Sequence, residues 1–381
     1  MKSNYKKLAP YIRLVDIRNS SDERYELLGV SVDKHFIKSI ANTVGTDWRT
    51  YKVIKKGQFC YIPDTSRRGD KMGIALLTDY DIALVSQAYA VFEIVNQEEL
   101  LPEYLNLWFK RPEFDRYARF HSHGSVREIF DWEEMGNVEL PIPEIDEQKK
   151  IVEAYNTIER RIALKRQIND NLEAQANTIF SEKLISQLTC DEENLLDGYV
   201  KTSLTNIASY LNGLAMQNFP PLNDYDVLPV LKIRELRQGC VDTKSDKCST
   251  KIKKDYIINN GDVIFSWSGT LYVDLWCGGT VGLNQHLFKV TSKIYPKWFY
   301  YYWTKYHLNE FIKIADGKKT SMGHIKREDL EAARVVIPNT NDLKQLDNLI
   351  SPILDVLIQN KQELQVLSKT QELLLSKLSS R

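Results

Sequence analysis

The chain has 381 residues, 43% apolar and 27% charged, with 51 basic side chains balanced by 51 acidic ones. It is too long for one ordinary domain and long enough for two with substantial cores, and no apolar run approaches the ~18 residues that crossing a membrane requires. Zero net charge argues against a uniformly basic nucleic-acid binder. Clusters at Arg67-Arg68, Arg111 to Arg119, Lys251 to Lys254, Lys318-Lys319 and Lys326-Arg327 nevertheless leave room for local basic faces.

Residues 1–145 read as a first globular unit. β-Branched and aromatic residues predict strands within Tyr25–Val32 and Tyr51–Ile62, with Gly57 in a turn, and a further strand over Ala83–Val95. Pro102 sits at the tolerated first turn of a helix over Pro102–Phe109, and Pro112–Phe120 continues in helical character. A polar loop, His121–Phe130, follows.

Residues 146–188 contain neither Pro nor Gly. Ile151, Tyr155, Ile158, Ile162, Leu172, Ala176 and Ile179 recur at alternating spacings of four and three, which predicts a heptad seam on one long helix. Residues 189–200 are acidic, contain Gly198 and read as a linker.

Residues 201–340 then repeat the plan of the first unit. Leu228–Ile233 answers the strand at Leu28, Gly261 answers Gly57, and Asn284–Val290 answers the strand before the first helix. Pro296–Trp303 answers Pro102–Phe109, and Phe311 and Lys313 answer Tyr117 and Arg119. Residues 341–381 carry the second seam: Leu346, Ile350, Ile353, Leu357, Leu364, Leu367, Leu374 and Leu378. The seams are related by a constant shift of 195, as in Ile151 to Leu346 and Leu172 to Leu367, and the polar Lys165 falls on Asn360. The expected fold is therefore α+β: two similar globular α/β domains separated by two long helices that pair as an antiparallel coiled coil. Lys165 and Asn360 are expected near its middle, fixing register.

No catalytic constellation stands out. The sequence has no P-loop, no GxGxxG after a strand and no GxSxG elbow, and Asn218-Phe219-Pro220-Pro221 has the wrong order for an amino-methyltransferase motif. The five cysteines (Cys60, Cys190, Cys240, Cys248 and Cys277) form no CxxC pair, and His121 and His123 have no third ligand at suitable spacing, so reduced thiols and no metal are expected. The N-terminus lacks an apolar signal-peptide core, which suggests the cytoplasm. Trp267, in Phe265–Tyr272, is expected in the core rather than against a ligand.

Three loops, Thr65–Gly73, Ser122–Glu128 and Gly317–Arg327, combine basic, hydroxyl and glycine residues. Arginine can fork onto a guanine edge, lysine and hydroxyls suit phosphates, and glycine permits close backbone approach. The candidate DNA contacts are Arg67, Arg68, Lys71, His123, Ser125 and Arg127 in the first unit, and Lys318, Lys319, Thr320, Ser321, His324 and Lys326 in the second. For any one of these loops a solvated basic turn is an equally good reading.

The order unit, helix, unit, helix, with strings such as "KGQFCYIPDTSRRGDK", "NGDVIFSWSGTL", "GLNQHLFKV" and "ELPIPEIDEQKKIV", resembles the specificity subunit of a Type I restriction-modification system over essentially the whole chain. The resemblance implies two target-recognition domains, 1–145 and 201–340, each reading half of a split site on double-stranded DNA. It also implies that helices 146–188 and 341–381 set the spacing and dock methyltransferase subunits. Restriction/translocase subunits would be further partners. No cofactor is expected in this chain; S-adenosylmethionine, ATP and magnesium would belong to the partner subunits. A methyltransferase-only assembly, or a coiled-coil adaptor binding only protein, is the alternative.

Overall fold

The computed structural model describes residues 5–41, 45–66, 69, 71–124, 127–317 and 323–380. The chain divides into two compact units, Met1–Arg161 with Lys369–Arg381, and Ile162–Ser368, so that each long helix contributes to both.

The strands of unit 1 are β1 (Tyr5–Lys7), β2 (Ile12–Val15), β3 (Leu27–Val30), β4 (Phe36–Lys38), β5 (Lys52–Lys55), β6 (Phe59–Tyr61), β7 (Ile74–Leu76), β8 (Ile82–Val85), β9 (Ala90–Ile94) and β10 (Glu139–Pro141). Its helices are α1 (Pro102–Phe109), α2 (Pro112–Phe120), α3 (Trp132–Asn137) and the first turns of α4 (Ile145–Phe180). One sheet is antiparallel in the order β2-β9-β6-β7. A second runs β4-β3-β8-β5 with β3 and β8 parallel, and β1 pairs with β10. Phe59 and Phe92 stack at 4.9 Å on adjacent strands, and Phe109 packs edge-on against both, which fastens α1 to the antiparallel sheet.

Unit 2 repeats this topology strand for strand. Its strands are β11 (Val200–Ser203), β12 (Ser209–Asn212), β13 (Leu228–Leu231), β14 (Lys247–Cys248), β15 (Ile257–Ile258), β16 (Val263–Ser266), β17 (Tyr272–Leu275), β18 (Val281–Leu283), β19 (Leu287–Thr291) and β20 (Arg334–Ile337). The orders are β12-β19-β16-β17 and β14-β13-β18-β15, again with one parallel pair, β13 and β18, while β11 pairs with β20. The helices are α5 (Ser186–Leu188), α6 (Leu204–Ile207), α7 (Ile233–Gln238), α8 (Lys297–Tyr306), α9 (Leu308–Gly317), α10 (Arg327–Ala332) and α11 (Thr340–Lys377). Seven consecutive residues of α8, Trp298 to Thr304, are buried. This helix is apolar all round because it is covered on every side. The turns that feed β6 and β16 place Gly57 at φ 85° and Gly261 at φ 86°, a left-handed conformation that strains other residues.

The long helices pair antiparallel within each unit. In unit 1 the first turns of α4, with Ile151, Val152 and Tyr155, share a core with Leu375 and Leu378. In unit 2 the later turns, with Leu172, Ala176, Ile179 and Phe180, share a core with Leu346, Ile350, Leu354 and Leu357. The start of each helix therefore meets the end of the other. Of the seam residues, Tyr155, Ile162, Leu346, Ile350 and Leu357 are buried, and Ile151, Ile158, Leu172, Ile179, Ile353, Leu364, Leu367 and Leu374 are half-buried. The root of α4 is held by Gln148, fully buried. Its Nε2 donates to the Glu99 and Pro143 carbonyls at 2.8 Å each, and its Oε1 accepts from the Leu101 N–H at 2.9 Å. All its donors are thus satisfied.

The structure differs from sequence expectation in three places. Ala83–Val95 is not one strand: the apolar run passes from one sheet (β8) to the other (β9), turning where the Tyr89 N–H donates to the Ser86 carbonyl at 3.0 Å. The first long helix is α-helical only to Phe180, and a π-helical turn, Ser181–Ile185, precedes α5. Phe311 answers Phe114 rather than Tyr117. Phe114 and Ala118 are buried in α2, and Phe311 and Ala315 are buried in α9, a shift of 197. The offset drifts because α8 has ten residues where α1 has eight and is followed by one linking residue rather than two, so that α2 and α9 begin at Pro112 and Leu308. The second long helix also carries Pro352 in its interior, on an exposed position.

Candidate nucleic-acid interface

The polar loops, distant in sequence, are joined in pairs. In unit 1 the Thr65 N–H donates to the Glu128 carbonyl at 3.0 Å, and the Phe130 N–H donates to the Pro63 carbonyl at 2.9 Å. Within the second loop His123 and Ile129 exchange both backbone hydrogen bonds, at 3.1 and 2.9 Å. Arg119, on α2, spans the junction: it pairs with the Glu128 carboxylate, and its Nη1 donates to the Thr65 carbonyl at 3.4 Å. Loop 63–73 and loop 121–130 thus form one continuous surface.

Gly124 permits that hairpin. It sits at φ 137°, and a Cβ there would lie 2.0 Å from the Arg127 carbonyl oxygen. No other residue fits without moving the backbone.

A third loop, residues 31–35, is tied to the same face. Lys34, with φ 66°, is buried and pairs with Asp115 of α2, whose Oδ1 also accepts from the Met72 N–H at 2.9 Å. Burial pulls the Lys34 ammonium below its ordinary pKa, against the opposing pull of the Asp115 charge. Next to it Lys71 Nζ meets Asp33 Oδ1 at 2.8 Å, and that hydrogen bond and charge hold the Asp33 carboxyl below the usual carboxylate range.

Unit 2 has the same stitch with different chemistry. The Gly269 N–H donates to the Gly323 carbonyl at 3.0 Å, and the Ile325 N–H donates to the Trp267 carbonyl at 3.1 Å. Trp267 is half-buried on this junction, packed against the edge of the unit 2 core. It stacks on Phe288 at 5.6 Å, donates from Nε1 to Asn212 Oδ1 at 2.9 Å, and meets the rings of His286 and His324 at 6.2 Å each. The sequence expectation of a core Trp is met in part: Trp267 packs against the unit 2 core, but it lies just past the end of β16, where the chain leaves the sheet, and one side stays open.

Among the sequence-predicted contacts, Lys71, His123, Arg127 and Lys326 are exposed, and His324 is half-buried against Trp267. Lys326 lies just before α10, where its N–H donates to Asp329 Oδ2 at 2.7 Å. Arg67, Arg68, Ser125, Lys318, Lys319, Thr320 and Ser321 lie outside the described residues. Sequence reading missed Arg119, Lys34 and Trp267 as parts of this face. The repeat itself held a signal, since in both units the loop after the β6 or β16 strand and the loop after the second helix are the polar ones.

None of the five cysteines forms a disulfide, and among the described residues no cluster of His, Cys, Asp and Glu has metal-binding geometry. No described helix is long and apolar enough to cross a membrane.

The model of the Type I restriction modification DNA specificity domain matches residues 5–174 and again residues 197–373. The chain is 25% identical over 308 residues to the Type I restriction enzyme MjaIX specificity subunit of Methanocaldococcus jannaschii, a match covering 75% of this chain and 70% of that protein. It is 23% identical over 202 residues to the Type I restriction enzyme EcoBI specificity subunit of Escherichia coli, covering 51% and 42%. In fold it is similar to a crystal structure of a Type-I restriction-modification system S subunit from M. genitalium, with a TM-score of 0.58 at 14% identity, covering 98% of this chain and 95% of that one.

Proposed function

We propose, from the premise that the chain belongs to the Type I restriction modification DNA specificity family, that residues 1–145 and 201–340 are target-recognition domains, each reading one half of a bipartite site on double-stranded DNA. The carrying observation is the duplication: two units of identical strand order present differently composed polar loops on the same topological position. A shared frame with divergent loops suits two readers of two different sequences.

In this reading the loops divide the work. Exposed lysines such as Lys71 and Lys326 neutralise phosphates, while Arg127, with Arg67 and Arg68, supplies forked donors for guanine edges. The junction contacts, Thr65 with Glu128 and Gly269 with Gly323, pre-organise each reading surface, so that little ordering cost falls on binding. The helices 146–188 and 341–381 fix the distance between half-sites and dock methyltransferase subunits, to which restriction/translocase subunits are added. Methyl transfer and ATP-driven steps, with S-adenosylmethionine, ATP and magnesium, then reside on those partners, and this chain is non-catalytic.

The test is domain exchange. Residues 1–145 are replaced by the equivalent segment of a relative, and the methylated motif is sequenced in cells carrying the partner subunits. One half of the motif should change and the other should stay. A change in both halves, or in neither, would refute independent readers.

A further inference from the structure

Arg111, which precedes α2, is 3% exposed, and among the described residues its Nε has no hydrogen-bond partner. Its guanidinium lies 4.1 Å over the Trp108 ring, and Nη2 is 3.4 Å from the carboxylate of Glu113, a side chain about half exposed. Burial pulls its pKa below the ordinary value. A buried cation with an orphan donor is costly unless an acceptor arrives.

The duplication supplies an internal comparison. The residue before α9, the counterpart of α2, is His307, 5% exposed. Its ring nitrogens meet the Arg334 carbonyl at 2.8 Å and the Glu310 carboxylate at 3.1 Å, so the site in unit 2 is closed by the protein's own acceptors. In unit 1, Arg111 instead lines a cleft of about 670 Å³ walled by Tyr5, Trp108, Phe114 and Tyr117. The other basic side chains of the cleft are engaged: Lys7 Nζ donates to Asn137 Oδ1 at 3.0 Å, and the His121 ring lies 3.1 Å from the Glu134 carboxylate. Glu113, Glu134 and Glu139 also line it, and three carboxylates disfavour a multiply charged ligand such as a phosphate ladder more than a singly charged one.

We propose that the Arg111 cleft is a binding site for a single carboxylate, an acidic side chain presented by a protein partner, and that unit 2 has no counterpart. Arginine receives carboxylates through two parallel N–H donors, and Trp108 holds the guanidinium plane fixed for that fork. The inference does not depend on the DNA reading above.

The test uses the full chain and acetate as the probe. Thermal unfolding is followed in sodium acetate, up to about 100 mM, and in sodium chloride of equal ionic strength. Wild type should gain roughly 2–4 °C in acetate, the shift expected near tenfold saturation. Arg111→Met should unfold at a higher temperature than wild type in chloride, because the desolvated guanidinium and its orphan Nε are gone, and should lose the acetate response. Glu113→Gln, which removes the nearest competing carboxylate and leaves Arg111 in place, should enlarge the response. An equal response in wild type and Arg111→Met, or no response in either wild type or Glu113→Gln, would overturn the proposal. So would an Arg111-dependent shift with a short DNA duplex and none with acetate.

Discussion

Lys165 Nζ donates to Asn360 Oδ1 at 2.6 Å, and the two residues are 195 positions apart, which is the period of the duplication. In an antiparallel pair built from two copies of one helix, positions run in opposite directions, so only near one place does a position meet its own copy. Here that place is polar. Lys165 also pairs with Glu363 at 2.9 Å, and Asn360, 4% exposed, donates from Nδ2 to Asn169 Oδ1 at 2.8 Å. A buried polar cluster specifies register because any slip leaves its donors and acceptors unpaired. Asn360→Leu should therefore cost about 1–3 kcal/mol in denaturant unfolding, and the double variant Lys165→Leu/Asn360→Leu should recover most of it. A cost under about 0.5 kcal/mol for the single variant would refute the register role.

Gly124→Ala should damage the first reading surface while leaving the rest of unit 1 folded. The new Cβ meets the Arg127 carbonyl at 2.0 Å, and a non-glycine residue at φ 137° adds about 1–3 kcal/mol of strain. The loop must open. The expected outcome is weaker binding of the assembled complex to its cognate duplex with a nearly unchanged circular dichroism spectrum. Retained affinity would show that this hairpin does not touch DNA.

Lys71→Ala and Arg127→Ala should differ in kind. Among the described residues Lys71 has only an exposed pair with Asp33 to lose, so its removal affects stability little. It should weaken binding to all sequences and lower the salt dependence by about one charge. Arg127→Ala should cost roughly 1–3 kcal/mol on the cognate site and little elsewhere. Titrations on cognate and scrambled duplexes at two salt concentrations separate the outcomes.

Asp242 gives unit 2 an acid limb. Its two oxygens accept from Arg234 Nη1 and Nη2 at 3.0 Å each, and those hydrogen bonds hold the carboxyl at about 2 against an ordinary 3.8. The folded pKa lies below the unfolded one, so the contribution is complete above pH 3.8 and is lost as pH falls toward 2. Asp242→Asn should flatten this part of the melting-temperature profile and leave its slope near neutrality unchanged. An identical acid slope in the variant would count against the pairing.

If the helices act as a ruler, lengthening both should lengthen the unread gap. Four residues inserted after Asn169, matched by four after Leu364, add roughly 6 Å at 1.5 Å per residue, close to two base pairs. Motif sequencing of the methylated genome should return the same half-sites with a longer spacer. An unchanged spacer means that something other than these helices sets the distance.

Most of the architecture was legible because duplication doubles every signal. A heptad stripe seen once is ambiguous; the same stripe returning 195 residues later, from Ile151 to Leu346 and from Lys165 to Asn360, is not. Gly57 and Gly261 marked matching turns for the same reason. What escaped was long-range. Composition cannot say that Ala83–Val95 changes sheets, since both strands are equally apolar. The pairing of Phe311 with Phe114 depends on a helix two residues longer. The stitching of Thr65 to Glu128 and of Gly269 to Gly323 is made by backbone groups, which leave no mark on side-chain chemistry. Trp267 was placed against the core but not on the loop junction, because an aromatic beside a strand looks the same whether the sheet covers it fully or in part.

The aromatic helix α8 also makes the molecule its own optical label. Trp298 and Trp303 on α8, and Trp276 nearby in sequence, are at most 1% exposed in unit 2, whereas Trp48 and Trp132 in unit 1 are half-buried. Solvent-shielded indoles emit to the blue and resist quenching by iodide, so three of the four buried indoles behind the unquenched fraction belong to unit 2, and Trp108 of unit 1, 6% exposed, is the fourth. The red shift of that fraction on heating would be dominated, without any attached dye, by the opening of unit 2, and the quenchable fraction would draw on Trp48 and Trp132 of unit 1 together with the half-buried Trp267 of unit 2.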